Sequence, residues 1–280
     1  MKRQIILTAA LTASLLATEL FGQTKLPDAK TTLFNAKEFK ITPEVLARTA
    51  EAEKDGSMLI KHAPNVPAVF DGVKLARLMN PAAVVITSHQ YGPDGLKDVG
   101  SASGFAISAR GHIVTNSHAL AETGLETKPV TMAWIRGPHG VYAGYMAVIV
   151  VDDKESDLAI LRIAMITPNF LRLLPVGRYP QQGEKVAVMS SPHGLAGTFS
   201  TGVIAALRPD GNKPQQLQYT APVSPGSSGS PIVNKDGLVV GNVTSIMTMP
   251  HSQNVNMGTN VRELRQLVGK HTPELTDLIY

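Results

Sequence analysis

Short runs of apolar or alternating residues follow one another along most of the chain from residue 82 onwards. Gly, Pro, Asp and Asn separate the runs, for example at Asp94-Gly95, Asp210-Gly211 and Asp236-Gly237. Many short strands at such spacing are typical of an all-β barrel or sandwich. The predicted strands are 82–87, 104–108, 112–115, 130–135, 142–151, 158–163, 185–189, 198–207, 217–221, 231–233 and 238–246.

The preceding part of the chain, residues 23–78, lacks runs of β-branched residues and carries helix signals instead. Thr42 is a suitable N-cap with Pro43 at the first helical position, and Asp71 is a suitable N-cap for a second short helix that ends before Pro81. The C-terminal part also turns helical, with Asn260 as the predicted cap. The pattern therefore predicts helical extensions on both sides of a β-rich domain.

The first residues have the pattern of an export signal. Lys2 and Arg3 precede a mainly apolar, uncharged stretch at 5–17, which is too short to span a bilayer as a helix but suits a signal peptide. Cleavage after Ala17 and cleavage after Gly22 both fit. We expect a periplasmic or secreted protein with no stable membrane insertion after cleavage; a buried N-terminal helix and an uncleaved anchor are the alternatives.

Composition and charge exclude several classes of function. Of the 280 residues, 43% are hydrophobic and 17% charged, which is ordinary for a globular protein. The net charge of +4 is small and not clustered, so no nucleic acid partner is expected. The absence of cysteine excludes disulfides, cysteine-type zinc sites and thiol catalysis. The histidines lack metal-ligand spacing, so we expect no metal and no cofactor.

A Gly/Ser-rich segment at 225–231, Pro-Gly-Ser-Ser-Gly-Ser-Pro, is the first candidate for catalysis. A serine nucleophile needs a tight turn and backbone N–H groups aimed at the developing oxyanion. Gly226 and Gly229 permit such a turn because glycine tolerates positive φ. A segment of this composition is also typical of a plain loop, and it is not the Gly-x-Ser-x-Gly elbow of α/β-hydrolases.

Two further residues complete a catalytic pattern. His118 follows an apolar strand, where it could act as a general base, and Asp157 leads directly into another strand, from where it could accept the Nδ1–H of a histidine. Either residue alone is also typical of a structural role. The order His, Asp, Ser, with spacings of 39 (157 − 118) and 71 (228 − 157), is that of chymotrypsin-type enzymes.

In these motifs the chain resembles the HtrA/Deg family of trypsin-like serine proteases, over about residues 80 to 268. The matching segments are Gly-Phe-Ala-Ile-Ser at 104–108, Gly-His-Ile-Val-Thr-Asn at 111–116, Ser-Asp-Leu-Ala-Ile-Leu at 156–161, Ser-Pro-His-Gly-Leu at 191–195 and Ser-Thr-Gly-Val-Ile-Ala-Ala-Leu at 200–207.

The resemblance implies a fold of two packed six-stranded antiparallel β-barrels, with the site in the cleft between them. It implies a catalytic triad of His118, Asp157 and Ser228, because the family's Gly-x-Ser-Gly frame selects Ser228 over the two neighbouring serines. It places the oxyanion hole at the backbone N–H groups of Gly226 and Ser228.

Some features depart from the family pattern. Ser227 stands where the family usually has Asn, and Ser230 stands where it usually has Gly. Neither change removes a catalytic group, but Ser230 adds a side chain behind the nucleophile. The chain ends at Tyr280, which leaves no room for the PDZ domain common in the family, so peptide-gated activation through such a domain is not expected.

The resemblance also indicates the substrate pocket. Pro222 corresponds to its base, with Val223 next to it, and the opposite wall lies near Met257, Gly258 and Thr259. None of these residues can pair with Lys or Arg, and an unpaired buried cation costs several kcal/mol. We therefore expect cleavage after small or medium aliphatic residues.

The expected organisation is a signal peptide at 1–22, a helical extension at 23–78 and a protease domain at 79–280. The extension is expected to pack on the barrels or on a neighbouring subunit, with a removable propeptide as the alternative, and the sequence is compatible with a homo-oligomer. The predicted function is that of a serine endopeptidase acting on polypeptides, in particular unfolded or exported ones. A non-catalytic peptide-binding protein and a non-peptide acyl hydrolase on the same fold are the rival interpretations.

Overall fold

The computed structural model describes residues 70–271, except 93–94, 121–129, 138–139, 165–166, 168, 174–177, 211–212 and 247–254. The predicted signal peptide and the predicted helix at Thr42 lie outside the described residues. The described helices are α1 (Gly72–Met79) and α2 (Val261–His271). The described strands are β1 (Ala83–Gly92), β2 (Gly95–Ala106), β3 (His112–Thr115), β4 (Val130–Arg136), β5 (Tyr142–Asp153), β6 (Leu158–Ile163), β7 (Arg172–Leu173), β8 (Lys185–Ser190), β9 (Thr198–Asp210), β10 (Lys213–Tyr219), β11 (Pro231–Asn234), β12 (Leu238–Ile246) and β13 (Asn256–Asn260).

The first six strands form a closed barrel in the order β1-β2-β3-β6-β5-β4, with every neighbouring pair antiparallel. Its interior is filled by residues that alternate along the strands, as period-2 geometry requires. Val84 and Ile86 of β1 belong to the hydrophobic cluster that fills this interior, whereas Val85 between them belongs to a different hydrophobic cluster.

The second group of strands runs in the order β11-β8-β9-β10-β13-β12, and pairing between β11 and β12 closes it. These pairs are antiparallel as well. The prediction of two six-stranded antiparallel barrels is therefore confirmed. The short strand β7, which the sequence pattern did not predict, adds to β12 in parallel.

The main core cluster extends from the second barrel to the strands of the first barrel that pack against it. Strands β3 and β6 are buried on both faces because one face fills the first barrel and the other packs against the second. Ile113 and Leu161 belong to the barrel interior, whereas Val114 and Ile160 share a cluster with second-barrel residues such as Val188. This packing brings the ends of β3 and β6 close to the second barrel, where the candidate site is found.

The two helices that the sequence predicted in this region are present. Asp71 caps α1, its Oδ1 accepting the backbone N–H three residues on over 3.0 Å, and Leu75 and Met79 of this helix enter the main core. Asn260 caps α2, its Oδ1 accepting the backbone N–H two residues on over 3.0 Å, and Leu264 faces the same core. Helix α1 thus crosses the expected border between extension and protease domain.

Candidate active site

His118 lies on a 3₁₀ turn, Ser117–Ala119, that begins just after β3. Its side chain is half exposed, and Ser117 Oγ ties the turn to β5 by donating to Asp152 Oδ1 over 2.5 Å. The backbone N–H of His118 donates to Asp157 Oδ1 over 3.0 Å, and its Nδ1 lies 2.7 Å from Asp157 Oδ2. Because a carboxylate only accepts hydrogen bonds, Nδ1 carries the proton, and Nε2 is left as the basic nitrogen.

The turn that carries Asp157 is strained and held from two sides. Asp157 has a φ of 52°, in the left-handed region, which costs a non-glycine residue about 1–2 kcal/mol. Its carbonyl oxygen accepts a hydrogen bond from Asn116 Nδ2 over 2.8 Å. The carbonyl oxygen of the preceding Ser156 accepts one from Thr259 Oγ1 over 3.2 Å. Because Thr259 belongs to β13, both barrels fix the orientation of the carboxylate.

Ser228 lies in a tight turn between two glycines with positive φ, Gly226 at 94° and Gly229 at 85°. The turn is anchored to β12, where the carbonyl oxygen of Val243 accepts the N–H of Gly229 over 2.8 Å. A Cβ at Gly229 would lie 2.1 Å from the carbonyl oxygen of Ser103, so only glycine allows this approach.

In this turn, the Ser228 hydroxyl makes one long hydrogen bond, and two backbone N–H groups make none with the described residues. Ser228 Oγ donates to the carbonyl oxygen of Thr244 over 3.4 Å, which is long for a hydroxyl donor, and no hydrogen bond joins it to His118 in the described part of the chain. Among the described residues, the backbone N–H groups of Gly226 and Ser228 also make no hydrogen bond. These two donors are therefore available to an external acceptor.

The residues expected to line the substrate pocket occupy different environments. Pro222 is exposed and Val223 is half-buried against the main core. Met257 is 8% exposed. Gly258 faces inwards, since a Cβ there would lie 2.8 Å from Ile232 Cδ1. Thr259 uses its hydroxyl to bind Ser156. The pocket itself stays a prediction.

Sequence reasoning missed a hydrogen-bonded chain between two turns. One is the turn at 226–229 that carries the predicted nucleophile Ser228, called the nucleophile turn below; the other carries Asp157 and is called the aspartate turn. Thr244, whose carbonyl oxygen accepts from Ser228 Oγ, places its own Oγ1 3.1 Å from Thr259 Oγ1. Thr259 Oγ1 in turn donates to the carbonyl oxygen of Ser156, directly before Asp157. No local pattern marks these residues, because the bonded partners are far apart along the chain.

Acidic groups surround the start of α2 near the aspartate turn. Burial raises the pKa of Glu263; the Arg262 guanidinium lowers this pKa in part, and the carboxylates of Asp153 and Glu155 raise it further. No group of three or more His, Asp or Glu side chains in the described ranges is arranged to hold a metal ion. No helix in those ranges is long and apolar enough to cross a membrane.

Comparison with known proteins gives a consistent set of similarities. The family model for the trypsin-like peptidase domain matches residues 102–241. Protease Do-like 1, chloroplastic, of Arabidopsis thaliana is 34% identical over 189 residues, which covers 62% of this chain and 41% of the relative. Serine protease HTRA2, mitochondrial, of Bos taurus is 34% identical over 179 residues, which covers 61% of this chain and 36% of the relative.

A solved structure extends the similarity to the fold. The serine endoprotease from Yersinia pestis superposes with a TM-score of 0.59 at 22% sequence identity, covering 75% of this chain and 69% of that one. At this identity the likeness supports the double-barrel fold alone. The chain spans less than half the length of the two relatives from Arabidopsis thaliana and Bos taurus.

Proposed function

Because the chain belongs to the trypsin-like peptidase family, in its HtrA/Deg-like branch, we propose that it is a serine endopeptidase with His118, Asp157 and Ser228 as its catalytic triad. The observation that carries this proposal is the pairing of one carboxylate with both the backbone N–H and the Nδ1 of His118. That pairing leaves Nε2 as the base, with the nucleophile turn on the facing barrel.

The reaction follows from these positions. Ser228 Oγ rotates from the Thr244 carbonyl towards His118 Nε2 and attacks the scissile carbonyl carbon, while its proton passes to Nε2. The oxygen of the tetrahedral intermediate becomes negatively charged and accepts from the N–H groups of Gly226 and Ser228. When the C–N bond breaks, Nε2 returns the proton to the leaving amine. Water then attacks the acyl-enzyme with the same proton transfers.

Asp157 contributes by orientation and charge. Its carboxylate holds the Nδ1–H tautomer of His118 and stabilises the imidazolium that forms during the attack. The long contact between Ser228 Oγ and the Thr244 carbonyl is weak enough to be exchanged for one to His118, since catalytic hydrogen bonds often tighten only when substrate binds.

A fluorophosphonate probe tests the triad directly. We expect covalent labelling at Ser228, mapped by peptide mass spectrometry, together with digestion of casein. Ser228→Ala and His118→Ala should each lower turnover by roughly 10⁴- to 10⁶-fold, and the double variant should be little worse because the residues act as one unit. Ser230→Ala is the matched control, because its hydroxyl is fully buried, and this variant should keep the labelling.

The outcomes separate the rival functions. Labelling without casein digestion would favour an acyl hydrolase of non-peptide substrates. Absence of labelling in a folded protein would contradict the proposal and favour a peptide-binding protein on the same fold. Substantial turnover by Ser228→Ala would show that the nucleophile is wrongly assigned.

For the substrate, we propose polypeptides cut after small or medium aliphatic residues. Pro222, Val223 and Met257 offer no charge to a basic side chain, and burial of an aliphatic side chain contributes only about 1.5–3 kcal/mol, so the preference should be broad. Sequencing of products from a peptide-library digest tests this. A dominant preference for Lys or Arg before the cut would contradict the pocket assignment without affecting the triad.

We further propose that the protein is exported by a signal peptide within residues 1–22. The basic residues Lys2 and Arg3 before the apolar stretch at 5–17 support export. Mass spectrometry of the protein from its native host should find an N-terminus near residue 18 or 23. An N-terminus near residue 79 would favour a removable propeptide, and an intact Met1 in the mature protein would contradict signal cleavage.

A further inference from the structure

Ser103, on β2 of the first barrel, bonds directly to both residues of the proposed oxyanion hole. Its backbone N–H donates to the carbonyl oxygen of Ser228 over 2.8 Å, and its Oγ donates to the carbonyl oxygen of Gly226 over 2.8 Å. The same Oγ accepts the N–H of Ser191 over 2.9 Å, and the carbonyl oxygen of Ser103 accepts from Thr115 Oγ1 over 2.8 Å. Ser103 is 1% exposed, so all its polar groups are satisfied away from water.

The end of a strand ladder frees Ser103 for these contacts. The pairing of β2 with β3 stops at Phe105 and Val114, so the backbone of Ser103 has no strand partner on that side. Its N–H therefore reaches across to the second barrel, while Thr115 of β3 satisfies its carbonyl oxygen with a side chain. An edge that would otherwise leave buried polar groups unpaired becomes the attachment point of the nucleophile turn.

The two peptide planes on either side of Gly226 are both fixed. The carbonyl oxygen of Pro225 accepts the N–H of His193 over 2.8 Å, and because a trans peptide is planar, the N–H of Gly226 must point the opposite way. The following plane is held by Ser103 Oγ at the carbonyl oxygen of Gly226. The φ of 94° at Gly226 is thus maintained by hydrogen bonds at both ends.

The planes around Ser228 are fixed in the same manner. The carbonyl oxygen of Ser227 accepts the N–H of Ser230 over 3.1 Å, which sets the direction of the Ser228 N–H in that plane. The next plane is held by the N–H of Ser103 at the carbonyl oxygen of Ser228. Ser103 is the residue that takes part in fixing both donors.

We propose that Ser103 is a positioning residue for the oxyanion hole, which from the first barrel aims the N–H groups of Gly226 and Ser228 at one point; this inference rests on the proposed function. Stabilisation of an oxyanion depends on donors fixed before charge develops, and a displacement of about 1 Å can lower the rate by about 10²-fold. Ser103 does not touch substrate. Its effect is therefore expected on the transition state rather than on substrate binding.

Ser103→Ala in the full chain tests the part of the proposal that the side chain carries, because it removes the hydroxyl that holds the Gly226 carbonyl oxygen and keeps the backbone N–H that binds Ser228. We expect kcat per titrated active site to fall by about 10- to 100-fold with KM nearly unchanged. The inhibition constant of a peptide boronate, which forms a tetrahedral adduct at the serine, should rise by a similar factor. The pH at which kcat/KM reaches half its maximum should not move, because the His118–Asp157 pair is untouched.

Ser108→Ala is the matched control. Ser108 lies in the same barrel, is fully buried and bonds through its hydroxyl to His112 Nδ1 over 2.8 Å. The variant should lose thermal stability to a similar extent but keep kcat within about threefold, since no contact joins this hydroxyl to the nucleophile turn. Should Ser103→Ala fail to fold, Ser103→Cys retains a weaker donor of similar size, and its kcat should lie below that of the wild type.

Wild-type kcat and boronate affinity in a folded Ser103→Ala or Ser103→Cys variant would overturn the proposal, as would an equal loss of kcat in Ser108→Ala. If the wild type itself is labelled by fluorophosphonate and cleaves peptides, such results leave the proposed function standing. A wild type that is neither labelled nor inhibited by the boronate would overturn the proposed function and this inference with it.

Discussion

Replacement of Gly229 by alanine measures how closely the two barrels approach at the nucleophile turn. Gly229 has a φ of 85°, and an added Cβ would lie 2.1 Å from the carbonyl oxygen of Ser103 and 2.5 Å from Thr115 Oγ1. Gly183 has the same φ of 85° but nothing within 4 Å of an added Cβ. The pair separates the effect of backbone conformation from the effect of contact.

The magnitudes follow from this difference. A left-handed conformation costs alanine about 1–2 kcal/mol, so Gly183→Ala should lower the free energy of unfolding by that amount. Gly229→Ala bears the same conformational term. It must also displace the carbonyl oxygen of Ser103 from the Thr115 hydroxyl or move Ser228 from the Ser103 N–H, and a buried polar group left unpaired costs about 1–3 kcal/mol. We expect a total of about 2–5 kcal/mol for Gly229→Ala.

Urea denaturation of both variants, with kcat measured per titrated site, provides the assay. Gly229→Ala should also lower kcat by about 10²-fold or more, because Ser228 cannot keep its place when the adjoining backbone moves. Gly183→Ala should keep wild-type kcat. Equal losses of unfolding free energy in the two variants, or an unchanged kcat in Gly229→Ala, would refute the reasoning.

Two further predictions concern the aspartate turn. Thr259→Val keeps the shape of the side chain but removes the hydroxyl that binds the Ser156 carbonyl oxygen. In steady-state kinetics kcat should fall several-fold, and in urea titration the unfolding free energy should fall by about 1–3 kcal/mol. The control Thr259→Ser should retain wild-type values of both. Burial raises the pKa of Glu263 on folding; the charge of Arg262 lowers this pKa in part, and the charges of Asp153 and Glu155 raise it further. Because the folded-state pKa is raised, ionisation of Glu263 destabilises the folded protein. Glu263→Gln should therefore gain stability relative to the wild type as the pH rises from about 4 to 7, and a constant difference between urea midpoints at these two pH values would contradict this.

The strands that sequence alone defined best are those with strong apolar runs between breakers. The observed bounds of β3, β6 and β12 are the predicted ones, because their residues are buried on one or both faces. Strand β13, Asn-Met-Gly-Thr-Asn, was missed because small and polar residues have little intrinsic strand preference. It is a strand because β10 and β12 pair with it on both sides.

For the candidate site, the sequence identified the candidate catalytic residues but not the residues that hold them in place. Residue type and order pointed to His118, Asp157 and a serine of the segment at 225–231, and the resemblance to the HtrA/Deg family selected Ser228 among the serines there. Their supports were not foreseen. Ser103 binds Gly226 across 123 positions, and Thr259 binds Ser156 across 103 positions, and contacts of that range leave no local pattern in the sequence. Thr259 was expected only in the wall of the substrate pocket, and no local pattern distinguished Ser103 from other strand serines.

Hydrogen bonds between the barrels, in addition to apolar contacts, hold the turn that carries Ser228 and the turn that carries Asp157. Apolar packing such as that of Val114 against the second barrel contributes stability but tolerates small shifts, because the hydrophobic effect is not directional. Hydrogen bonds weaken steeply with angle, so the bonds from Ser103 and Thr259 fix orientation as well as distance. A substitution at either residue should therefore lower kcat in the folded protein, whereas Val114→Ala should lower stability and leave kcat nearly unchanged.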